Sequence, residues 1–195
     1  MSGIVYLSED DLIGRGAERA VYRIPDNPRL CVKITYNIRS KRKSLQNDRD
    51  SEFYHWLEKK NICWTNLARC YGWQETNLGK GLVFDFVADD FGCARKRLDF
   101  YRDSKKLSDE YIFRQLLLLR QYCLDNHIIL CDLTLENIVF DSDAAGDCKL
   151  ILVDGVGNTD LLAVISSNIS ILARRKIMRK WRRFLKKHFS HINAD

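Results

Sequence analysis

The chain has 195 residues, is 46% hydrophobic and carries a formal net charge of +6 at pH 7, which suits one compact domain with a buried core. No segment approaches the roughly 18 uninterrupted apolar residues of a membrane-spanning helix, and the N-terminus lacks the features of a secretory leader. The seven cysteines form no Cys-x-x-Cys pair, so reduced thiols are expected. Together these features predict a cytoplasmic protein without a zinc site.

The first part of the chain predicts an antiparallel sheet followed by a helix. Short β-rich segments separated by turn signals indicate the sheet. These segments cover residues 4–7, 19–24 and 30–36. A helix is predicted over residues 51–60, because Phe53, Trp56 and Leu57 have the spacing of one apolar helix face.

A buried strand is predicted next, over residues 81–87, and it ends at a polar turn over residues 88–90. Because the composition changes here, we place a domain boundary at this turn. The two predicted lobes are an N-terminal lobe, residues 1–87, and a C-terminal lobe, residues 88–195.

Two longer helices are predicted in the second half of the chain. Ser108 can cap the first, which continues to Leu124. Its first turn carries Asp109 and Glu110, which are favourable charges at the positive end of the helix dipole. The second helix covers residues 174–189, and both helices belong to the predicted C-terminal lobe.

The most informative stretch lies between these two helices. Asp132 is followed five residues later by Asn137 and an apolar strand, and a second apolar strand ends at Asp154-Gly155. Kinase-like phosphotransferases hold a catalytic base and two magnesium ligands in this order. The order predicts that Asp132 orients the acceptor hydroxyl, while Asn137 and Asp154 bind Mg²⁺. A cap or turn role would explain any one of these residues, but it does not explain the ordered series.

Further residues fit the nucleotide-binding half of such a site. Gly14 and Gly16 would form a lid over the phosphates of ATP, and Val21 would cover the base. Lys33 would contact the phosphates, with Glu52 as its ion-pair partner and Glu58 as a less well placed alternative. The candidate cofactor-binding residues are completed at the end of the 81–87 strand by Asp85 and Val87. Each signal has a structural alternative: a turn for the glycines, and a solvated side chain for Lys33 and Glu52.

Segments along nearly the whole chain resemble the YrbL family, the PhoP regulatory network proteins of the protein-kinase-like superfamily. The most family-specific segments are residues 154–157 and 175–184. The other matching segments are residues 13–16, 31–34, 71–73, 83–89, 124–129 and 137–138. The resemblance implies an α+β, protein-kinase-like, two-lobed fold, with a five-stranded antiparallel N-terminal sheet and a reduced helical C-terminal lobe.

These observations predict an ATP-dependent phosphotransferase that moves the γ-phosphoryl group of Mg-ATP to a hydroxyl acceptor. The acceptor is left open among a protein, a small molecule and a lipid-linked sugar, because Thr134 replaces a usual lysine and no Ala-Pro-Glu segment follows Asp154. Transfer of AMP in place of phosphate is also left open. The alternatives are a nucleotide-binding pseudokinase that acts as a regulatory or interaction module, and a scaffold that binds no nucleotide.

The C-terminal segment, residues 174–195, is strongly basic, with nine of the 32 Lys and Arg residues and one of the 26 acidic residues. The helix predicted over residues 174–189 has an apolar face opposite a basic face. The favoured interpretation is that the apolar face packs on the C-terminal lobe while the basic face is solvated. Peripheral contact with an anionic membrane is the second. Nucleic acid is not expected as a partner, because no recognition motif accompanies the helix.

Overall fold

The computed structural model describes residues 3–36, 46–89, 93–142, 148–157 and 169–192. The chain divides into two compact units. The first consists of Met1–Asn61 and Ala68–Ala94, and the second of Ile62–Leu67 and Arg95–Asp195. The division follows Ala94, whereas the sequence placed it after residue 87, and Ile62–Leu67 joins the second unit. Residue 90 of the predicted turn over residues 88–90 lies outside the described residues.

The first unit contains a five-stranded antiparallel sheet, as predicted, in the order β1-β2-β3-β5-β4. Its strands are β1 Leu12–Arg15, β2 Arg19–Ile24, β3 Asn27–Thr35, β4 Cys70–Thr76 and β5 Gly79–Asp85. The prediction of a strand over residues 4–7 is wrong, because in this segment only Val5 pairs with the sheet, in an isolated bridge to Thr76. Leu7 is nevertheless buried, which explains the strand-like pattern.

The two faces of this sheet are buried by different groups. One face forms an apolar cluster, with Leu7, Ala20, Tyr22, Ile24, Leu30, Val32, Ile34 and Val83 as its buried members. Helix α1, Gln46–Lys59, packs on the other face, where the rings of Tyr54 and Phe84 meet edge to face with centroids 5.3 Å apart. Gly81 allows β5 to approach β3 closely, because a Cβ there would lie 2.4 Å from Val32 Cγ2. This packing fixes the strand that carries Lys33.

In its described residues, the second unit combines three α-helices with a two-stranded antiparallel hairpin. The helices are α2 Leu98–Asp103, α3 Asp109–Asp125 and α4 Ile169–Phe189, and the strands are β6 Ile138–Ser142 and β7 Cys148–Leu152. The predicted cap of α3 is confirmed, since the Ser108 hydroxyl accepts a hydrogen bond from Tyr111 N at 3.2 Å. The hairpin places the ends of β6 and β7 side by side, with Ile138 opposite Leu152. Asn137 and Val153, which adjoin these two residues, are therefore neighbours.

Helix α4 packs its apolar face on its own unit, as the favoured interpretation predicted. Ala173, Ile177, Trp181, Phe184 and Phe189 are buried, and the rings of Phe113 and Phe189 lie 6.0 Å apart. The exposed surface of the helix is mainly basic, but it also includes the hydrophobic side chains of Ile171, Leu172 and Met178. In the part of the chain that the structure describes, no helix has the length and apolar character needed to cross a membrane.

Candidate active site

The second unit brings Asp132, Asn137 and Asp154-Gly155 together in one arrangement of hydrogen bonds. The backbone N–H groups of Cys131 and Asp132 both donate to the carbonyl of Gly155, at 2.8 and 3.1 Å. Asn137 Nδ2 donates to the carbonyl oxygen and to Oδ2 of Asp132, at 3.1 and 3.2 Å. The carbonyl of Asn137 accepts from Val153 N at 3.0 Å. The catalytic and metal-binding candidates of the second unit therefore form one site.

Gly155 is required by the close approach of the two segments. Its φ is +74°, and a Cβ at this position would lie 2.0 Å from the carbonyl oxygen of Asp132 and 2.9 Å from Asn137 Nδ2. Side chains other than hydrogen are disfavoured at such a φ. Gly155 N also donates to Asp154 Oδ1 at 2.8 Å, which orients the carboxylate. The Asp-Gly pair is thus part of the loop packing and not merely a surface turn.

The oxygens at this site fit a magnesium ion. Because Asn137 Nδ2 is directed at Asp132, the amide Oδ1 is left as a ligand, and it makes no hydrogen bond within the described part of the chain. Carboxylate and amide oxygens are ligands that Mg²⁺ accepts, usually with waters and substrate phosphates completing the coordination. Within the described ranges, no group of three or more His, Cys, Asp or Glu residues could hold a metal ion.

A cation that the sequence did not predict lies at the same loop. Lys180 of α4 donates from Nζ to the carbonyl of Cys131 at 2.6 Å. Burial lowers the pKa of Lys180, while Cys131 and Asp132 act in the opposite direction. In the sequence, Lys180 is one of nine cations in the basic segment. The sequence does not distinguish it from the other eight cations, and only the packing of α4, which buries Ile177 and Trp181 on either side, does so.

In the first unit, Gly14 and Gly16 lie at the tip of the β1–β2 hairpin. Gly14 pairs with Val21, Gly16 N donates to the carbonyl of Arg19 at 2.8 Å, and the hydroxyl of Tyr36 donates to the carbonyl of Gly16. A Cβ on Gly14 would meet no described atom within 4 Å, and one on Gly16 would meet only Arg19 O, at 3.6 Å. Packing within the described protein therefore does not require glycine at either position.

Val21 and Lys33 are directly opposite each other on β2 and β3, so their side chains lie on the same face of the sheet. Lys33 is only 5% exposed, which excludes the alternative of a solvated lysine. Its Nζ lies 4.5 Å from the ring centroid of Phe84, and Asn47 Nδ2 donates to its carbonyl at 3.0 Å. The structure thus brings together the predicted base-covering residue and the predicted phosphate cation.

The structure does not support Glu52 as the partner of Lys33. Glu52 is exposed, whereas Asp50 is buried on the side of α1 that faces the sheet. Asp50 Oδ2 lies 2.6 Å from Arg19 Nη1. Residues two positions apart on an α-helix differ in direction by about 200° around the helix axis. Asp50 and Glu52 therefore cannot share one face. Asp50 is therefore the buried acid of α1, and the role predicted for Glu52 is corrected.

The Arg19–Asp50 pair lies close to the buried lysine of β3. Arg19 Nη1 also donates to Asn47 Oδ1 at 3.1 Å, and Asn47 in turn bonds the backbone of Lys33. Burial raises the pKa of Cys70 to about 11, and the charges of Asp50 and Lys33 both act on this thiol. Sequence spacing could not identify the pair. The usual kinase lid has glycine at the position of Arg19, so the kinase pattern predicts no charged partner for Asp50 there.

Asp50→Asn is expected to lower the free energy of unfolding by about 1.5–3 kcal/mol, because Arg19 loses a charged hydrogen-bond partner in a buried position. Urea denaturation monitored by circular dichroism measures the change. Glu52→Gln is the matched control, and it should change stability by less than about 0.5 kcal/mol, as exposed substitutions usually do. A larger loss for Glu52→Gln than for Asp50→Asn would contradict this assignment.

Asp85 and Val87, at the end of β5, differ in their hydrogen bonding. The Asp85 carboxylate accepts hydrogen bonds from Arg69 N at 2.8 Å and from the Tyr71 hydroxyl at 2.9 Å. The backbone N–H of Asp85 donates to the carbonyl of Arg69. The Asp85 side chain therefore has a structural role. Among the described residues, the backbone groups of Val87 make no hydrogen bond.

Comparisons with known proteins agree with this architecture. The family model described as PhoP regulatory network protein YrbL matches residues 5–189. The proteins named "Uncharacterized protein YrbL" from Escherichia coli (strain K12) and from Shigella flexneri are each 27% identical over 184 residues, which cover 93% of this chain and 87% of theirs.

Among solved structures, the crystal structure of Rad53 1-466 in complex with AMP-PNP is similar, with a TM-score of 0.51 and 23% identity. The likeness covers 87% of this chain and 44% of the Rad53 chain, so this chain spans less than half the length of that protein. At this identity the likeness shows the fold, which is kinase-like. With a family match over nearly all its residues, the chain belongs to the family of the PhoP regulatory network protein YrbL.

Proposed function

We propose that the protein is an ATP-dependent phosphotransferase that uses Mg-ATP and a hydroxyl acceptor. The observation that carries the proposal is the shared arrangement of Asp132, Asn137 and Asp154-Gly155 in the second unit. In the reaction, the acceptor oxygen forms a bond to the γ-phosphorus, and the bond from that phosphorus to the β-γ bridging oxygen breaks. The products are ADP and the phosphorylated acceptor, and the hydroxyl proton passes to Asp132.

The residues of the second unit have distinct roles in this proposal. Asp132 is exposed and can meet an acceptor, and its Oδ2 is oriented by Asn137 Nδ2. Asn137 Oδ1 and Asp154 would hold Mg²⁺, which neutralises charge on the phosphates when it is bound. Gly155 keeps the two loops at the distance that these roles require. The catalytic base and the metal ligands are therefore held by backbone contacts as well as by side chains.

The residues of the first unit would bind the nucleotide. Lys33 would supply a buried cation for the phosphates, and Val21 lies on the same face of the sheet. The exposed Gly14 and Gly16 would allow the backbone of the β1–β2 hairpin to approach the phosphates closely. The backbone of Val87 would bond the base. The AMP-PNP complex of Rad53 supports this proposal, because a protein of similar fold takes an ATP analogue. A nucleotide-binding regulator without transfer activity remains the competing function.

Lys33→Met and Asp154→Asn are each expected to weaken Mg-ATP binding by about tenfold or more, since loss of one charged hydrogen bond costs about 1.5–3 kcal/mol. Isothermal titration calorimetry on the full chain measures the affinity. Lys80→Met and Asp103→Asn are matched controls, because both side chains are exposed and lie outside the proposed site.

The outcomes separate the candidate functions. Saturable binding that both site variants weaken, and that both controls retain, would support the phosphotransferase and justify a search for the acceptor. Binding that is equal in all variants would place the nucleotide elsewhere. Absence of binding at millimolar Mg-ATP would reject the enzyme and leave a kinase-shaped interaction module.

A further inference from the structure

The loop that carries Asp132 and Asn137 lacks a cation of its own. Residues 132–137 read Asp-Leu-Thr-Leu-Glu-Asn, with Thr134 where protein kinases usually have lysine and with Glu136 adding a negative charge. The phosphoryl group that moves between ATP and an acceptor spreads negative charge over its three equatorial oxygens, and donors aimed at that charge are a main source of catalysis. Such a donor at the acceptor side must therefore come from another element.

Lys180 is placed to be that donor. Its Nζ lies 2.6 Å from the carbonyl of Cys131, the residue immediately before Asp132. An ammonium has three N–H donors, and within the described residues only this bond of Lys180 is present. Two donors are thus available at the start of the loop. The charge of Asp132 acts on Lys180, so the carboxylate and the ammonium are electrostatic neighbours.

The helix that carries Lys180 holds this position firmly. The neighbouring Trp181 is fully buried, and Ile177 and Phe184 are 2% and 5% exposed. Most other basic residues of α4 point to solvent, and the exposed ones are Arg174, Arg175, Arg179, Arg182, Arg183, Lys186 and Lys187. Lys180 differs because it is partly buried and bonded to the loop. A solvated basic face does not explain this lysine.

We propose that Lys180 supplies the cation that the catalytic loop lacks, by donating a hydrogen bond to a non-bridging oxygen of the γ-phosphoryl group during transfer. This inference rests on the proposed phosphotransferase function. Lys180 keeps its protons and its charge throughout, because the acceptor proton passes to Asp132 and the leaving oxygen remains with ADP. The simpler alternative is that Lys180 only ties α4 to the carbonyl of Cys131.

Lys180→Gln separates the two roles. Glutamine retains an N–H donor for the Cys131 carbonyl but removes the positive charge. The probe is Mg-ADP with and without aluminium fluoride, whose anion occupies the place of a phosphoryl group in transfer, and the dissociation constant of ADP is measured by calorimetry. Lys180→Arg tests whether another cation restores the effect, and Arg179→Gln is the matched control, because Arg179 is exposed on the same helix.

In the wild-type protein, aluminium fluoride should tighten Mg-ADP binding by at least about tenfold. Lys180→Gln should lose most of this tightening and keep its affinity for Mg-ADP alone and its thermal unfolding temperature. Lys180→Arg should recover part of the tightening, and Arg179→Gln should retain all of it.

Other outcomes overturn the inference in distinguishable ways. If wild type binds Mg-ADP and Lys180→Gln retains the tightening, or if wild type shows no tightening, Lys180 is not the phosphoryl-group cation, and the proposed function still stands. If Lys180→Gln lowers the unfolding temperature and weakens Mg-ADP binding equally with and without aluminium fluoride, Lys180 only holds α4 to the carbonyl of Cys131. If wild type does not bind Mg-ADP, the phosphotransferase proposal fails and this inference fails with it.

Discussion

Asp132→Asn is expected to lower the rate of phosphoryl transfer by about 10²–10⁴-fold, because the variant loses the group that takes the acceptor proton. Affinity for Mg-ATP should be unchanged, since Asn137 and Asp154 remain as metal ligands. The amide oxygen of asparagine can still accept the hydrogen bond that Asn137 Nδ2 donates to Asp132 Oδ2. The loop should therefore keep its conformation, and the effect should fall on turnover alone.

Turnover can be measured before the acceptor is identified. Release of phosphate from Mg-ATP reports transfer to water, and incorporation of labelled phosphate into the protein reports transfer to its own hydroxyl groups. Asp103→Asn is the control, because the Asp103 side chain is 70% exposed. If Asp132→Asn retains wild-type turnover in both assays, Asp132 is not the base. If wild-type protein that binds Mg-ATP shows no turnover, the regulatory alternative is favoured.

Gly155→Ala is expected to lower the free energy of unfolding by about 2–5 kcal/mol, the combined cost of a left-handed conformation for a non-glycine residue and of overpacking. The new methyl group would overlap the carbonyl of Asp132, which lies 2.0 Å from the Cβ position. The loop must then move, and the bonds from Cys131 N and Asp132 N to the carbonyl of Gly155 lengthen or break. Mg-ATP affinity should fall together with stability.

Urea denaturation of the full chain measures this effect, with the midpoint and slope analysed together. Gly14→Ala is the matched control, because a Cβ there meets no described atom within 4 Å, and its stability should be unchanged or slightly increased. Equal stability of Gly155→Ala and wild type would contradict the close contact between the Asp-Gly pair and the loop that carries Asp132.

Local patterns were sufficient to predict several elements. The hydroxyl of Ser108 caps α3 as expected, because the residues that form a helix cap are only a few positions apart. Short apolar runs and turns predicted an antiparallel sheet, and its five strands were implied by the family resemblance. The order of Asp132, Asn137 and Asp154 also predicted residues that the structure brings together, because their separation is spanned by one hairpin, β6–β7.

Contacts between residues distant in sequence were harder to predict. Glu52 was predicted as the partner of Lys33, but it is exposed. The buried acid of α1 is Asp50, which pairs with Arg19, because the rotation of α1 on the sheet decides which side chain is buried. Lys180 could not be distinguished from the other cations of α4 in the sequence. Its role depends on how α4 packs, which is set by the burial of Ile177, Trp181 and Phe184.

The sequence by itself determined the three polar residues that meet at the candidate site, Asp132, Asn137 and Asp154, since their spacing along the chain is short, and the family resemblance of the sequence implied the kinase-like fold. The tertiary structure decided which charges are buried or meet the loop. Packing decides this because a helix buries one face, and the orientation of that face depends on apolar contacts with residues far along the chain. Asp50 and Lys180 are the two positions where this packing, and not sequence spacing, selects the charged residue.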